Sequence, residues 1–82
     1  METKFVYIIQ DGFENLCATL DKEVAKQFIK NEILENAEDE VDEQKVEKFA
    51  QDLVDGNTEG HYSDEFASAN VYIWCDRLVL RE

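Results

Sequence analysis

Lys4 to Leu20 reads KFVYIIQDGFENLCATL, and this stretch decides the fold. Five of its first seven residues are β-branched or aromatic, and the run is apolar on both alternating faces, which is typical of a central strand. Asp11-Gly12 is a strong turn dipeptide, and a second strand fits residues 15–20. The stretch therefore predicts an antiparallel β-hairpin.

Two amphipathic helices are predicted after the hairpin, over residues 21–37 and 42–55. Asp21 and Asp42 each follow an apolar residue and suit the N-cap position. Apolar residues then recur at spacings of three and four, and Gly56 suits the position just after the second helix. Because neither Pro nor Gly interrupts this part of the chain, a single unbroken helix is the alternative.

The rest of the chain predicts a loop over residues 57–69 and a closing strand over residues 70–80. Asp76-Arg77 interrupts the apolar alternation there, so the segment is either one strand with a bulge or two strands bending at Asp76. The order ββααβ predicts an α+β fold in two layers: an antiparallel sheet of three to four strands with two helices on one face. We expect a single domain over residues 1–82.

The charge balance excludes several classes of function. Twenty acids and eight bases give a net charge of −12, whereas solubility of a small domain needs a magnitude of roughly 2–8. DNA affinity comes largely from Lys and Arg meeting phosphate, so a nucleic-acid binder with a broad basic patch is excluded. The same charge argues against docking on anionic membranes. Nine aromatic residues and clear apolar periodicity distinguish the chain from a disordered one.

The first residues show no signal-peptide pattern, and no apolar run approaches the roughly 18–20 residues that a membrane helix needs. Cys17 and Cys75 are far apart and belong to no CxxC motif. We therefore expect a cytoplasmic protein with two reduced thiols, and a disulfide is the alternative.

Residue types that carry chemistry are sparse. His61 is the single histidine, and no sequence pattern pairs it with a Ser or Cys nucleophile. The three glycines form no phosphate-binding motif, and the acids near residue 40 lack the glycine and the ligand spacing of a calcium loop. We expect no catalytic residue, no metal site, no cofactor and no enzymatic activity. An enzyme would need the fold to bring His61 against a thiol or a carboxylate cluster in a pocket.

The most distinctive feature is a stretch from Asn31 to Glu43 that contains seven acids and no base. We call these seven residues the acidic run: Glu32, Glu35, Glu38, Asp39, Glu40, Asp42 and Glu43. Like charges three or four positions apart on a helix repel by roughly 0.2–0.5 kcal/mol per pair, so the run would cost roughly 1–2 kcal/mol. It is either a solvated face that maintains solubility or a surface presented to a basic partner.

Carboxylates one helical turn apart are spaced by roughly 5–6 Å, which is comparable to neighbouring phosphates on a nucleic-acid strand. A rigid row of them can occupy an Arg- and Lys-lined groove built for DNA or RNA, and electrostatic steering speeds its arrival. Tight binding also needs apolar anchors. We therefore predict a partner-binding set made of the acidic run and four aromatic residues: Phe13, Tyr62, Phe66 and Trp74.

The chain resembles the small acidic anti-CRISPR and anti-restriction proteins that bacteriophages and mobile elements encode against host defence nucleases. The resemblance lies in short length, extreme acidity, a hairpin (Phe5 to Leu20), a helix start (Leu20 to Ala25) and an aromatic closing strand (Val71 to Leu80). It implies a non-enzymatic inhibitor that binds a host nuclease or a nucleic-acid-binding complex in the bacterial cytoplasm.

The expected partner is thus a basic protein that handles nucleic acid, and neither nucleic acid itself nor a membrane. The chain would act as a monomer or a homodimer. The alternative is a small cytosolic interaction module whose acidity serves solubility and whose partner binds a sheet edge or the aromatic loop.

Overall fold

The computed structural model describes residues 4–64 and 69–79, which form an α+β fold with two helices and two antiparallel sheets. The elements in chain order are β1 (Phe5–Gln10), β2 (Asn15–Thr19), α1 (Lys22–Asn36), α2 (Glu43–Asp55), β3 (His61–Asp64), β4 (Ala69–Tyr72) and β5 (Trp74–Val79). The predicted α+β class is confirmed, and the order is ββααβββ.

β1 is the middle strand of a three-stranded antiparallel sheet in the order β2-β1-β5. Because side chains alternate along a strand, Tyr7 and Ile9 are buried in the core while Val6 and Ile8 are half-buried on the other face. The predicted hairpin is confirmed, with an irregularity in register between Ile9 and Gln10. Its central strand is apolar on both faces because both faces are at least partly covered.

The two predicted helices are confirmed, and the single unbroken helix is excluded. The side chain of Asp21 accepts hydrogen bonds from the N–H groups of Glu23 and Val24 at the start of α1. Gly56 ends α2 in the left-handed region at φ 77°, where a residue without Cβ is favoured. In the described part of the chain, no helix is both long and apolar enough to cross a membrane.

The expectation of one sheet of three to four strands is wrong, because the strands divide into two sheets. The predicted loop over residues 57–69 contains β3, which pairs with β4 as a second, two-stranded sheet. Tyr62 and Val71 face the core, and His61 and Tyr72 face outward. A four-residue strand that reads His-Tyr-Ser-Asp is short and mostly polar, so its propensity alone did not reveal it.

The closing segment breaks at Ile73 and not at Asp76. The N–H of Ile73 donates to the carbonyl of Gly60 over 2.7 Å, and the Ile73 side chain is buried. At this residue the chain passes from the β3–β4 sheet to the edge of the β1 sheet. A Cβ on Gly60 would collide with the Ile73 carbonyl and the Trp74 ring, so the crossing needs glycine. Leu80, the predicted end of the strand, lies outside the described residues.

One buried cluster connects both sheets and both helices. Its members are Tyr7, Ile9, Ala25, Ile29, Ile33, Val46, Ala50, Leu53, Val54, Tyr62, Ala69, Val71 and Ile73. α1 packs against β1, β2 and β4, and α2 packs against α1 and β5. The helices and the second sheet therefore depend on the same core.

Ile29 is fully buried on α1, and Ile29→Ala removes apolar groups and leaves a cavity. We expect the free energy of unfolding to fall by about 2–5 kcal/mol, measured by urea denaturation followed by circular dichroism. Val24→Ala, at a half-exposed position of the same helix, is the matched control and should cost less than about 1 kcal/mol. Equal losses in the two variants would contradict the core described above.

Candidate functional site

The acidic run covers the junction between the two helices. Glu32 and Glu35 lie on α1, Asp42 is the N-cap of α2, Glu43 is in its first turn, and the other three acids occupy the connection over residues 37–42. Glu32 is half-buried and the other six acids are exposed. The run is therefore a surface feature, as the solvated-face and partner-binding interpretations both require.

The chain leaves the helix inside the acidic run for identifiable local reasons. Ala37, the residue after α1, has extended backbone with φ −78° and ψ 134°, and it packs against the core together with Val41. Asp42 then starts α2 by accepting a hydrogen bond from the N–H of Gln44 over 2.9 Å. The predicted one-turn spacing therefore holds for Glu32 and Glu35 but not for the acids of the connection, which removes much of the expected helical repulsion.

Four lysines pair with acids elsewhere on the helices. In the described residues the salt bridges are Lys22–Asp55, Lys26–Glu47, Lys30–Glu47 and Lys48–Asp52. The ammonium of Lys22 lowers the pKa of the Asp55 carboxyl, and Lys26 does the same for Glu47. None of these bridges involves the acidic run, so positive charge neutralises the start of α1 and leaves the helix junction strongly negative.

A depression of about 350 Å³ opens within the acidic run. Its apolar lining comes from Leu34, Ala37 and Val41, and its acidic lining from Asp39, Glu40 and Glu43. The apolar floor and the carboxylate rim of this depression together suit a long basic side chain, because such a side chain has an apolar stem and a charged head. This combination was not predicted, because it arises only when the connection turns back on the core.

The three predicted aromatic anchors among the described residues lie in different environments. Phe13, at the tip of the β1–β2 hairpin, is 97% exposed. Trp74 is 38% exposed. Tyr62 is only 6% exposed and packs edge-on against Phe49 with ring centroids 5.4 Å apart, so it belongs to the core and is removed from the candidate surface. Phe66 lies outside the described residues.

Trp74 supports the hairpin tip as well as contributing to the surface. A Cβ on Gly12 would lie 3.0 Å from the Trp74 ring, and one on Gly60 would also strike the ring. The indole therefore packs against the backbone of both glycines. Tyr72 lies beside it, 53% exposed, with ring centroids 6.3 Å apart.

His61 is part of this outer aromatic group. Its ring stacks on Tyr72 with centroids 4.3 Å apart and planes within 3° of parallel, and its Nε2 lies 2.5 Å from Oδ1 of Asn70. Residues 4–64 and 69–79 contain no group of three or more His, Cys, Asp or Glu side chains that could hold a metal ion. The imidazole acts here as a packing and hydrogen-bonding partner.

The cysteines flank the central strand as free thiols. Cys17 and Cys75 both pair with Ile9, one from each side, which separates their Cα atoms by about 9–10 Å. A disulfide needs roughly 7 Å or less, so the alternative of a disulfide between Cys17 and Cys75 is excluded. Burial, reinforced by Asp76, raises the pKa of the Cys75 thiol to about 11, and the thiol is therefore a weak nucleophile at neutral pH.

Comparison with known proteins finds no matching family model, no matching curated protein and no matching solved structure. Function is therefore inferred from the surface chemistry of the chain itself.

The raised pKa of Cys75 has a measurable consequence. In a Cys17→Ser variant, we expect alkylation by iodoacetamide to rise about tenfold per pH unit through pH 10 without a plateau, because only the thiolate reacts. Free cysteine, with a pKa of about 8.5, is the reference and should level off within that range. A plateau for the protein below pH 9, with unchanged circular dichroism, would contradict the burial of this thiol.

Proposed function

We propose that this chain is a non-enzymatic inhibitor that binds a basic, nucleic-acid-handling host protein, such as a CRISPR effector or a restriction nuclease. The observation that carries the proposal is the acidic run, whose carboxylates lie at one helix junction and outside the salt bridges of the described residues. Its site of action would be the cytoplasm of a bacterial host, and its origin a phage or mobile element.

Electrostatics gives this surface a specific kind of partner. A groove lined by Arg and Lys to hold nucleic acid attracts a concentrated negative surface from a distance, and steering of this kind raises association rates. The carboxylates would occupy the positions of phosphates and exclude the nucleic acid by competition. Such binding weakens steeply as salt rises, because charges separated by more than about 10 Å are screened at 0.1 M.

Affinity also needs desolvated anchors, since charged rim contacts contribute little by themselves. The depression lined by Leu34, Ala37 and Val41 supplies an apolar surface within the acidic run. Phe13 supplies a second anchor at the hairpin tip, where nearly the whole ring is in water. Acidic steering and apolar anchoring on neighbouring surfaces support tight, specific binding.

The test uses charge reversal with a matched control. In the test variant Glu35, Asp39 and Glu43 are changed to Lys, and the N-cap Asp42 is kept so that α2 still starts normally. In the control variant Glu14, Glu23 and Glu59, which are exposed acids outside the run, are changed to Lys, giving the same net charge. Circular dichroism verifies that both fold.

Tagged proteins are used to capture partners from a bacterial lysate at 50 mM and 500 mM NaCl. We expect the wild type and the control variant to capture a basic nucleic-acid-handling protein. The test variant should capture at least about tenfold less of it, and 500 mM NaCl or competing DNA or RNA should release it from the wild type. A partner held equally by both variants and insensitive to salt would contradict the proposal.

A second candidate function follows from the exposed edge of the β1 sheet. Leu78 and Val79 on β5 are each 54% exposed, and apolar side chains on an edge strand favour strand addition by a partner. In this alternative the chain is an interaction module whose acidity serves solubility. Leu78→Lys would then abolish partner capture, and the reversals in the acidic run would leave it unchanged.

A further inference from the structure

A second groove lies beside the acidic run, between the tip of the β1–β2 hairpin, the end of α1 and strand β4. It encloses about 320 Å³, and we call it the hairpin groove. Its lining combines apolar, aromatic and acidic side chains, including Leu16, Ile73, Phe13, Tyr72, Asp11 and Glu32. Among the described residues that line it, none is a Lys or Arg.

We propose that the hairpin groove binds an arginine side chain carried by an extended segment of a basic protein. The inference rests on the proposed function in one respect, since both require a basic partner. It goes further by naming the residue type that is recognised and the side chains that recognise it.

The size of the groove favours a single long side chain. Pockets for small molecules and cofactors span roughly 300–1,000 Å³, and the hairpin groove is at the lower limit of that range. It is also open to the surface along the hairpin tip, where Phe13 is almost wholly in water. One side chain of a bound segment therefore fits better than an enclosed ligand.

The chemistry of the lining favours arginine over lysine. A guanidinium is planar, stacks on aromatic rings and donates several hydrogen bonds to carboxylates, whereas an ammonium is a compact and strongly hydrated charge. Leu16, which is half-buried, can cover part of the aliphatic stem. Phe13 offers an exposed ring face, and Glu32 is a half-buried carboxylate outside the salt bridges of the described residues.

The hairpin tip is organised before any partner arrives. The carboxylate of Asp11 accepts hydrogen bonds from the N–H groups of Phe13 and Glu14, each over 2.9 Å. These bonds to Glu14 and Phe13 lower the pKa of the Asp11 carboxyl, so it stays ionised. The Trp74 ring packs under Gly12. Phe13 is therefore presented from an ordered turn, which reduces the ordering cost of binding.

The helix α1 provides a matched pair of acids for the test. Glu32 lines the hairpin groove, and Glu35, one turn further along, is exposed and does not line it. Glu32→Gln and Glu35→Gln change the net charge equally. A diffuse negative field responds alike to the two substitutions, whereas a groove that holds an arginine responds to Glu32 alone.

The probes are the acetylated and amidated peptides Arg-Arg-Arg and Lys-Lys-Lys, titrated at 20 mM NaCl into the ¹⁵N-labelled full chain and followed by NMR chemical shifts. We expect the largest shifts at the hairpin tip and β4, and tri-arginine binding at least about threefold tighter than tri-lysine. Glu32→Gln should weaken tri-arginine binding about tenfold and Glu35→Gln no more than about twofold. Phe13→Ala, at an exposed position, should weaken it about threefold.

Two results would overturn the inference: equal weakening by Glu32→Gln and Glu35→Gln, or equal affinity for the two peptides. Either result would mean that the peptide is held only by the negative field of the protein. The proposed function would still stand, because its test is the loss of the captured partner in the variant with Glu35, Asp39 and Glu43 changed to Lys. If tri-arginine binds in the groove as expected but the reversal leaves partner capture intact, the proposed function fails and the groove assignment stands.

Discussion

The fold depends on one constraint, the pairing of β1 on both of its edges. The hairpin supplies β2 locally, but β5 returns from the opposite end of the chain, with Phe5 against Val79 and Gln10 against Trp74. Only then are Tyr7 and Ile9 enclosed by the sheet and the helices. The crossing at Ile73, which carries the chain from one sheet to the other, is therefore as important to the core as any buried side chain.

The distribution of charge follows from how the helices meet. Lys22 at the start of α1 pairs with Asp55 at the end of α2, and three further bridges involve Lys26, Lys30 and Lys48. The acidic run at the helix junction takes no part in these bridges. Charge that is concentrated and unneutralised opposes compaction, and natural proteins commonly accept such a cost where a surface serves binding.

The features that the sequence predicts correctly are those with local signals. The turn at Asp11-Gly12 and the caps at Asp21, Asp42 and Gly56 each act within a few residues, so the hairpin and both helices were predictable. β3 was missed because it is stabilised by pairing with β4 and by burial of Tyr62, which are long-range effects. The acidic run and the break between the two helices inside it were predicted from sequence, but the two grooves beside the run depend on tertiary contacts.

The most direct measurement is the stability of a variant in which Glu35, Glu38 and Asp39 are replaced by Gln, Gln and Asn. Glu35→Gln removes the one helical repulsion that remains, with Glu32, and all three changes reduce the net negative charge. If the acidic run is maintained for binding at the expense of stability, the free energy of unfolding of this variant in urea at low ionic strength will exceed the wild-type value by roughly 0.2–0.5 kcal/mol or more. The gain should vanish at 0.5 M NaCl as the repulsion is screened. A variant less stable than wild type would show that these acids support the fold, and would contradict their assignment to a binding surface.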